Sequence, residues 1–324
     1  MTSGASLALT EADKTPASVT LITREMIAES GARKLDKLLD IYVPNLIRLE
    51  VAGGSGPKVG LRGIVGGRNH KTLLLVNGRV TNQRTIYGAV AERFLPLLGD
   101  IESIEVVRAP GSSVHGPGAI NGVISIRTWG QSATDGLETR VQQGFVEGYS
   151  LGEVRFARTF GTDSRVAAYY GIDDYPGAAA EDAPMTFSKT KTLSNGGNLF
   201  VAGAPIDSGI VNHNQAFEGV LHHKAHVELR SSNAVLWARF VRGGINYLPA
   251  RKVFENRQRF EGIMMGLQYQ QITIQGEQPL DLGRTSRLQL RAGYDIDDVV
   301  KADVSAIPGR EYAAAFREDE LSLR

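Results

Sequence analysis

Cysteine is absent from this chain of 324 residues, which excludes disulfide bonds and thiolate metal sites. An excess of charge is also missing, because 36 Lys and Arg residues are balanced by 35 Asp and Glu residues. The chain therefore lacks the basic field that binds nucleic acid. No run reaches the roughly 18 apolar residues of a membrane helix. β-Strands, however, can cross a membrane with an alternating pattern alone.

Signals for export and for catalysis are missing as well. The N-terminus, MTSGASLALT, has no basic segment followed by an apolar one, so we see no signal peptide. A Gly-X-Ser-X-Gly motif is absent, and no two acidic residues suggest a catalytic dyad. In GSSVHGPG (Gly111–Gly118) the glycines have the spacing of a phosphate loop, but Pro117 and Gly118 stand where Lys and Ser or Thr are required. We therefore expect no enzyme activity and no cofactor.

The most informative stretch is Asp100–Thr128, DIESIEVVRAPGSSVHGPGAINGVISIRT. Partial alternation of charged and apolar residues predicts strands at Ile101–Arg108 and Gly122–Thr128. The Gly/Pro/Ser segment between them predicts a loop with demanding backbone angles.

Upstream of this stretch the pattern mixes helices and strands. Thr23 is placed to cap a helix that begins at Arg24. Apolar residues at helical spacing from Leu35 predict a second helix, which Pro44 ends. Asn77-Gly78 predicts a type I′ hairpin. The first ~130 residues therefore predict an α+β domain.

After Gly130 the sequence changes to alternating strands. In Phe217–Arg230 the apolar residues fall on one face, while His222, Lys224, His226 and Glu228 fall on the other. Leu288, Leu290, Ala292 and Tyr294 alternate in the same way. About seven or eight antiparallel strands result, joined by alternately short and long connections. This arrangement is typical of outer-membrane barrels, although a soluble β-sandwich would show the same alternation.

Two histidines on one strand face raise the question of a metal site. His222 and His226 are four residues apart, which is about 13 Å along a strand. Both side chains cannot bind one ion at that spacing. We expect no metal site and interpret the face as the polar wall of a barrel lumen.

The N-terminal motifs together resemble a known family. They are PASVTLITREMI, VGLRG (Val59–Gly63), LLLVNGR (Leu73–Arg79) and the IEVVRAP and GAINGVISI segments. They are similar to the plug domain of TonB-dependent outer-membrane receptors, which lies inside a large barrel. The resemblance implies residues 1–14 as a flexible tail, 15–130 as the plug domain and 131–324 as a partial outer-membrane barrel.

The resemblance also implies site residues and partners. Receptors of this family bind a scarce ligand, most often a ferric siderophore, haem or cobalamin, and import it by coupling to TonB. Leu7, Ala8 and Leu9 are the counterpart of the TonB-contact segment, which adds a strand to TonB; a disordered tail is the equal alternative. Docking of the plug to the barrel is expected from Arg62, Glu105 and Arg108. Ligand contacts in the plug loops are expected from Ser55, Gln83, Arg84 and Tyr87.

The strand count limits what the chain is expected to do. Plugged barrels use about 22 strands, and a barrel of about eight has an interior just filled by side chains. We therefore expect the N-terminal portion of a receptor, truncated before its barrel closes. Its location would be the outer membrane of a Gram-negative bacterium, in contact with lipid and not with nucleic acid. The alternative is a soluble binding or signalling module with the same plug and an appended β-domain.

Overall fold

The computed structural model consists of an N-terminal α+β domain and a large antiparallel sheet. It describes residues 18–49, 58–65, 70–84, 88, 92–93, 95, 97–111, 115–145, 149–174, 186–192, 198–205, 221–247, 263–283, 286–307, 310–312 and 316–323. The predicted α+β domain followed by antiparallel strands is confirmed.

The N-terminal domain begins with a strand and two helices whose boundaries follow the sequence signals. The strand β1 (Ser18–Thr23) leads into α1 (Arg24–Glu29), where the Thr23 hydroxyl accepts a hydrogen bond from Met26 N at 3.4 Å. The second helix, α2 (Leu35–Tyr42), buries Leu35, Leu38 and Leu39. Both the capping residue and the apolar spacing were predicted from the sequence.

A five-stranded sheet forms the centre of this domain. Its strands, in spatial order, are β1, β7 (Ile101–Arg108), β8 (Gly122–Thr128), β5 (Thr72–Val76) and β6 (Arg79–Val80). Only β5 and β8 pair in parallel. A smaller sheet contains β2 (Leu46–Leu49), β3 (Lys58–Leu61) and β4 (Ile64–Val65). The predicted strands β7 and β8 are confirmed.

The Asn77-Gly78 turn shows why these two residue types are needed. Both residues have positive φ, 49° and 80°, as a type I′ turn between β5 and β6 requires. The core of the domain lies between the helices and the central sheet, where Ile22, Leu38, Leu74, Ile104 and Ile124 are almost fully buried. The domain is thus held by its own apolar core.

The second unit is a nine-stranded sheet. Its long strands are β9 (Gly136–Gln143), β10 (Ser150–Phe160), β11 (Ser164–Asp174), β14 (His222–Ser231), β15 (Ala234–Tyr247), β16 (Ile263–Asp281), β17 (Arg287–Ile307) and β19 (Phe316–Leu323). The short strand β18 (Arg310–Tyr312) also pairs with β17, and β12 (Thr186–Thr192) and β13 (Asn198–Pro205) form a separate hairpin. Among the described residues β9 and β19 each keep one edge without a partner strand. The sheet is therefore an open arc and not a closed barrel.

The faces of this sheet differ as the sequence pattern predicted. On β14 the side chains of His222, Lys224 and His226 are buried, while Val227 and Leu229 are 42% exposed. The N-terminal domain covers the polar face, and the apolar face points away from it. Within the part of the chain that the structure describes, no helix is long and apolar enough to span a membrane.

Candidate functional site

Four buried charged side chains join the N-terminal domain to the sheet, and we call them the interdomain ion cluster. Glu92 and Asp100 come from the segment between β6 and β7, Lys224 from β14 and Arg239 from β15. Lys224 Nζ lies 2.9 Å from Glu92 Oε2 and 2.8 Å from Asp100 Oδ1. Arg239 contacts the same two carboxylates, with Nε and Nη1 each at 2.5 Å. Each acid therefore meets both bases.

Burial makes this cluster energetically important. All four side chains are only 1–2% exposed. A charge in such a place must be paired, because an unpaired buried charge costs several kcal/mol. Burial alone would raise the pKa of Glu92, but Arg239 and Lys224 outweigh it and hold that pKa below its usual range. The pKa of Asp100 is lowered for the same reason, so both acids are ionised at neutral pH.

The backbone beside the cluster takes part in the same contact. Lys224 Nζ also donates to Leu97 O at 2.8 Å. Glu153 on β10 accepts from Gly99 N at 3.0 Å, and Arg155 donates to Gly99 O at 3.2 Å. The segment from Glu92 to Asp100 thus carries side-chain and main-chain contacts to three neighbouring parts of the sheet.

On its other side, this segment is fixed to the N-terminal domain. Arg93 forms a bidentate pair with Asp36 of α2, with nitrogen–oxygen distances of 2.9 and 3.0 Å. Both side chains are almost completely buried. Glu92 and Arg93 therefore connect in opposite directions, one to the sheet and one to the helix.

A second group of contacts lies at the β5–β6 hairpin. Arg79 donates from Nε to both carboxylate oxygens of Asp295 on β17, at 2.9 and 2.8 Å. Its Nη1 donates to Ser322 Oγ on β19 at 2.7 Å. Gln271 on β16 donates to Thr81 O at 3.3 Å. The contact surface thus extends from β10 to β19.

Glycines of the sheet mark where the domain approaches most closely. A Cβ atom at Gly171 would lie 2.9 Å from Leu97 Cδ2, and one at Gly243 would lie 2.8 Å from Leu95 Cδ2. Both distances are shorter than real Cβ contacts allow. The absence of a side chain at these positions lets Leu95 and Leu97 reach the sheet backbone.

The three residues predicted to dock the plug have these positions. Arg62 occupies a turn with φ of 56°, and its Nη1 donates to Arg108 O at 3.4 Å. Arg108 donates to Pro44 O at 3.1 Å and to Ser18 Oγ at 2.6 Å. Glu105 lies on β7 opposite Leu21 of β1. These hydrogen bonds end within the N-terminal domain, and the docking role of the three residues stays a prediction.

The predicted ligand residues divide into two groups. Gln83 is buried, and its N donates to Gly88 O at 3.0 Å. Arg84 is 63% exposed, with Nη2 at 2.5 Å from Glu320 Oε1 and its backbone N at 3.2 Å from Glu318 Oε2. Ser55 and Tyr87 lie outside the described residues, as do the TonB-contact residues Leu7, Ala8 and Leu9. Of the two, Arg84 contacts strand β19 of the sheet, whereas the hydrogen bond of Gln83 lies within its own loop.

The sequence interpretation missed the ion cluster. In the sequence, Arg239 is 139 residues from Asp100 and 147 residues from Glu92. No local spacing therefore connects the acids with the bases. One signal was present: the polar face of the alternating strand at Phe217–Arg230 carries the charged residue Lys224.

Comparisons with known proteins identify the N-terminal domain. The family model "TonB-dependent Receptor Plug Domain" matches residues 11–123. The N-terminal domain is a TonB-dependent receptor plug domain. The match covers the N-terminal domain alone, and the similar proteins described next are receptors and transporters.

Curated relatives agree with this identification. The chain is 29% identical over 189 residues to the vitamin B12 transporter BtuB of Vibrio vulnificus, which covers 58% of the chain and 24% of the relative. It is 36% identical over 118 residues to the iron-regulated outer membrane virulence protein of Vibrio cholerae, covering 35% of the chain and 17% of the relative. The chain thus matches about a quarter or less of the length of these relatives.

Solved structures show the same fold around the plug domain. The ferric-catecholate import receptor Fiu of Escherichia coli aligns over 94% of this chain and 44% of its own, with a TM-score of 0.54 and 11% identity. The siderophore receptor PirA of Acinetobacter baumannii covers 94% and 44%, with a TM-score of 0.55 and 17% identity. At such identities the likeness concerns the fold alone.

Proposed function

We propose that this protein is the plug-bearing portion of an outer-membrane receptor that binds and imports a scarce ligand through TonB. The observation that carries the proposal is the plug domain held by buried charges on the polar face of an open strand arc. In a receptor that face lines the lumen, and the plug obstructs it. The location would be the outer membrane of a Gram-negative bacterium.

The outer face of the arc supports membrane residence over a soluble module. Apolar side chains there are widely exposed, including Leu236 at 48%, Leu290 at 46% and Leu321 at 72%. A monomeric soluble protein rarely leaves a contiguous apolar surface of this kind in water. A bilayer would cover it, as it covers the apolar band of other membrane barrels.

The ligand we propose is a ferric siderophore, with haem or cobalamin as the alternatives. Fiu is named as a ferric-catecholate import receptor, PirA as a siderophore receptor and BtuB as a vitamin B12 transporter. Arg84 supports an anionic ligand, because a guanidinium is suited to recognising carboxylates and other oxyanions. We include Ser55, Gln83 and Tyr87 in this proposed site.

Binding by the purified chain tests the ligand. The full chain in detergent micelles is titrated with ferric enterobactin, haemin and cyanocobalamin, with tryptophan fluorescence as the readout. We expect saturable quenching by the ferric siderophore, weakened at least tenfold in Arg84→Ala and unchanged in the control Arg127→Ala, an arginine of β8. Saturable binding of haemin or cyanocobalamin alone would overturn the siderophore assignment, and no binding at all would overturn the receptor proposal.

TonB coupling is tested separately. Strand addition requires a free backbone N–H, which proline lacks. We expect the periplasmic domain of TonB to bind the chain and to lose most of that binding in Leu9→Pro, while Ala12→Pro retains it. Equal binding by both variants would exclude Leu7, Ala8 and Leu9 as the contact segment.

A further inference from the structure

A groove lies on the outer, apolar face of the sheet, away from the plug domain. Five outward-facing residues form one rung across five strands, because the register pairs each with the next: Leu229, Leu236, Gly276, Ala292 and Leu323. The two small residues in the middle form a floor between larger residues on both sides. The resulting groove has a volume of about 850 Å³, which is within the range of small-molecule sites.

The exposed surface of the groove is mostly apolar, although Arg230, Glu277, Gln278 and Arg291 also border it. Leu229, Leu236, Leu290 and Leu323 line it and are 42–75% exposed. A Cβ atom at Gly276 would meet only Leu236 Cδ1, at 3.8 Å. The missing side chain therefore leaves open space that is not needed for packing within the sheet.

The position of the groove along the strands decides its occupant. Leu229 and Leu236 lie close to the short β14–β15 turn, where Ser232 has φ of 52°. The β16–β17 turn at the same end is also short, and Leu282 N donates to Ser286 O at 2.9 Å. Short turns are periplasmic in outer-membrane barrels. The groove thus lies in the periplasmic leaflet, continuous with the lipid-facing surface.

We propose that this groove binds one acyl chain of a glycerophospholipid from the periplasmic leaflet. An acyl chain is unbranched and apolar, and it fits a floor of Gly276 and Ala292 between leucine walls. The inference rests on the proposed membrane location and adds a specific lipid site to it.

Filling the floor tests the site. In Ala292→Leu the new side chain occupies the groove, and in Gly276→Ala a smaller group occupies part of it. The matched control is Ala238→Leu, which makes the same change on the same outer face of β15, one rung away. Far-UV circular dichroism checks that every variant has folded.

The measurement is native mass spectrometry of the full chain in mild detergent, titrated with dioleoyl phosphatidylethanolamine. We expect one retained lipid on the wild-type chain and on Ala238→Leu, at least tenfold lower occupancy on Ala292→Leu, and an intermediate value on Gly276→Ala. Equal occupancy on Ala292→Leu and Ala238→Leu would overturn the proposal, as would retention of lipopolysaccharide in place of phospholipid. Ligand and TonB binding are scored separately, so failure here is distinguishable from failure of the receptor proposal.

Discussion

At the scale of single residues, the contact between plug and sheet contains a balanced set of buried charges. Glu92 and Asp100 supply two negative charges, and Lys224 and Arg239 supply two positive charges, in a space that excludes water. Replacing one member leaves a buried charge without compensation, and such losses cost more than the intact pair contributes.

Lys224→Met tests this balance. We expect the free energy of unfolding to fall by about 3–5 kcal/mol, because both carboxylates then share one cation. Lys37→Met is the control: Lys37 is exposed on α2, where substitutions change stability by about 0.5 kcal/mol or less. Chemical denaturation of the two variants measures the difference. Similar stability in both would contradict a structural role for the cluster.

Glycine at the contact surface gives a second test at this scale. In Gly171→Ala the new methyl group meets Tyr169 Oη and Leu97 Cδ2, whereas in Gly152→Ala it meets only Ile172 Cγ2 at 3.6 Å. We expect a loss of about 1–3 kcal/mol for Gly171→Ala from overpacking and almost none for Gly152→Ala. Thermal unfolding of the two variants in the same detergent provides the measurement. A larger loss for Gly152→Ala would be inconsistent with the close approach of Leu97.

At the scale of elements, local signals were sufficient for the plug domain. The Thr23 cap, the apolar spacing of α2, the Asn77-Gly78 turn and the strands β7 and β8 were all predicted, since each depends on neighbouring residues. The partners of the predicted site residues were not predictable in this way. Arg84 contacts Glu320 across 236 positions of the chain, and only the folded sheet brings them together.

The start of α2 makes a pH prediction at this scale. Lys34, at the N-cap position, is 5% exposed, and burial lowers its pKa to about 8, against the favourable effect of Asp36. Above this pH the folded domain has released the proton while the unfolded chain still holds it, up to the ordinary value near 10.5. Stability attributable to Lys34 therefore rises between about pH 8 and 10.5.

The variant Lys34→Met isolates this effect. Subtracting its unfolding free energy from that of the wild type at each pH removes the other titrating groups. We expect the unfolding free energy of the wild type to increase relative to that of the variant as the pH rises through this window. A difference that stays constant from pH 7 to pH 11 would show that burial does not lower the pKa of Lys34.

At the scale of the whole molecule, the plug domain packs against the polar face of the antiparallel sheet. The alternation of the strands predicted the two faces, and the resemblance to a plug inside a barrel implied that the plug domain covers the polar one. A soluble β-sandwich would bury its apolar faces together. Here the apolar face stays exposed, and the polar face is covered by charged and polar groups of the plug domain.

The absence of native cysteine permits a direct measurement of this arrangement. Arg84 N lies 3.2 Å from Glu318 Oε2, and the neighbouring Asp319 is on the opposite face of β19. In membranes carrying Arg84→Cys with Glu318→Cys, a short thiol-to-thiol cross-linker should join the two positions. The matched pair Arg84→Cys with Asp319→Cys should remain unlinked. Equal cross-linking of both pairs, or of the Asp319 pair alone, would contradict the placement of the plug domain on the polar face.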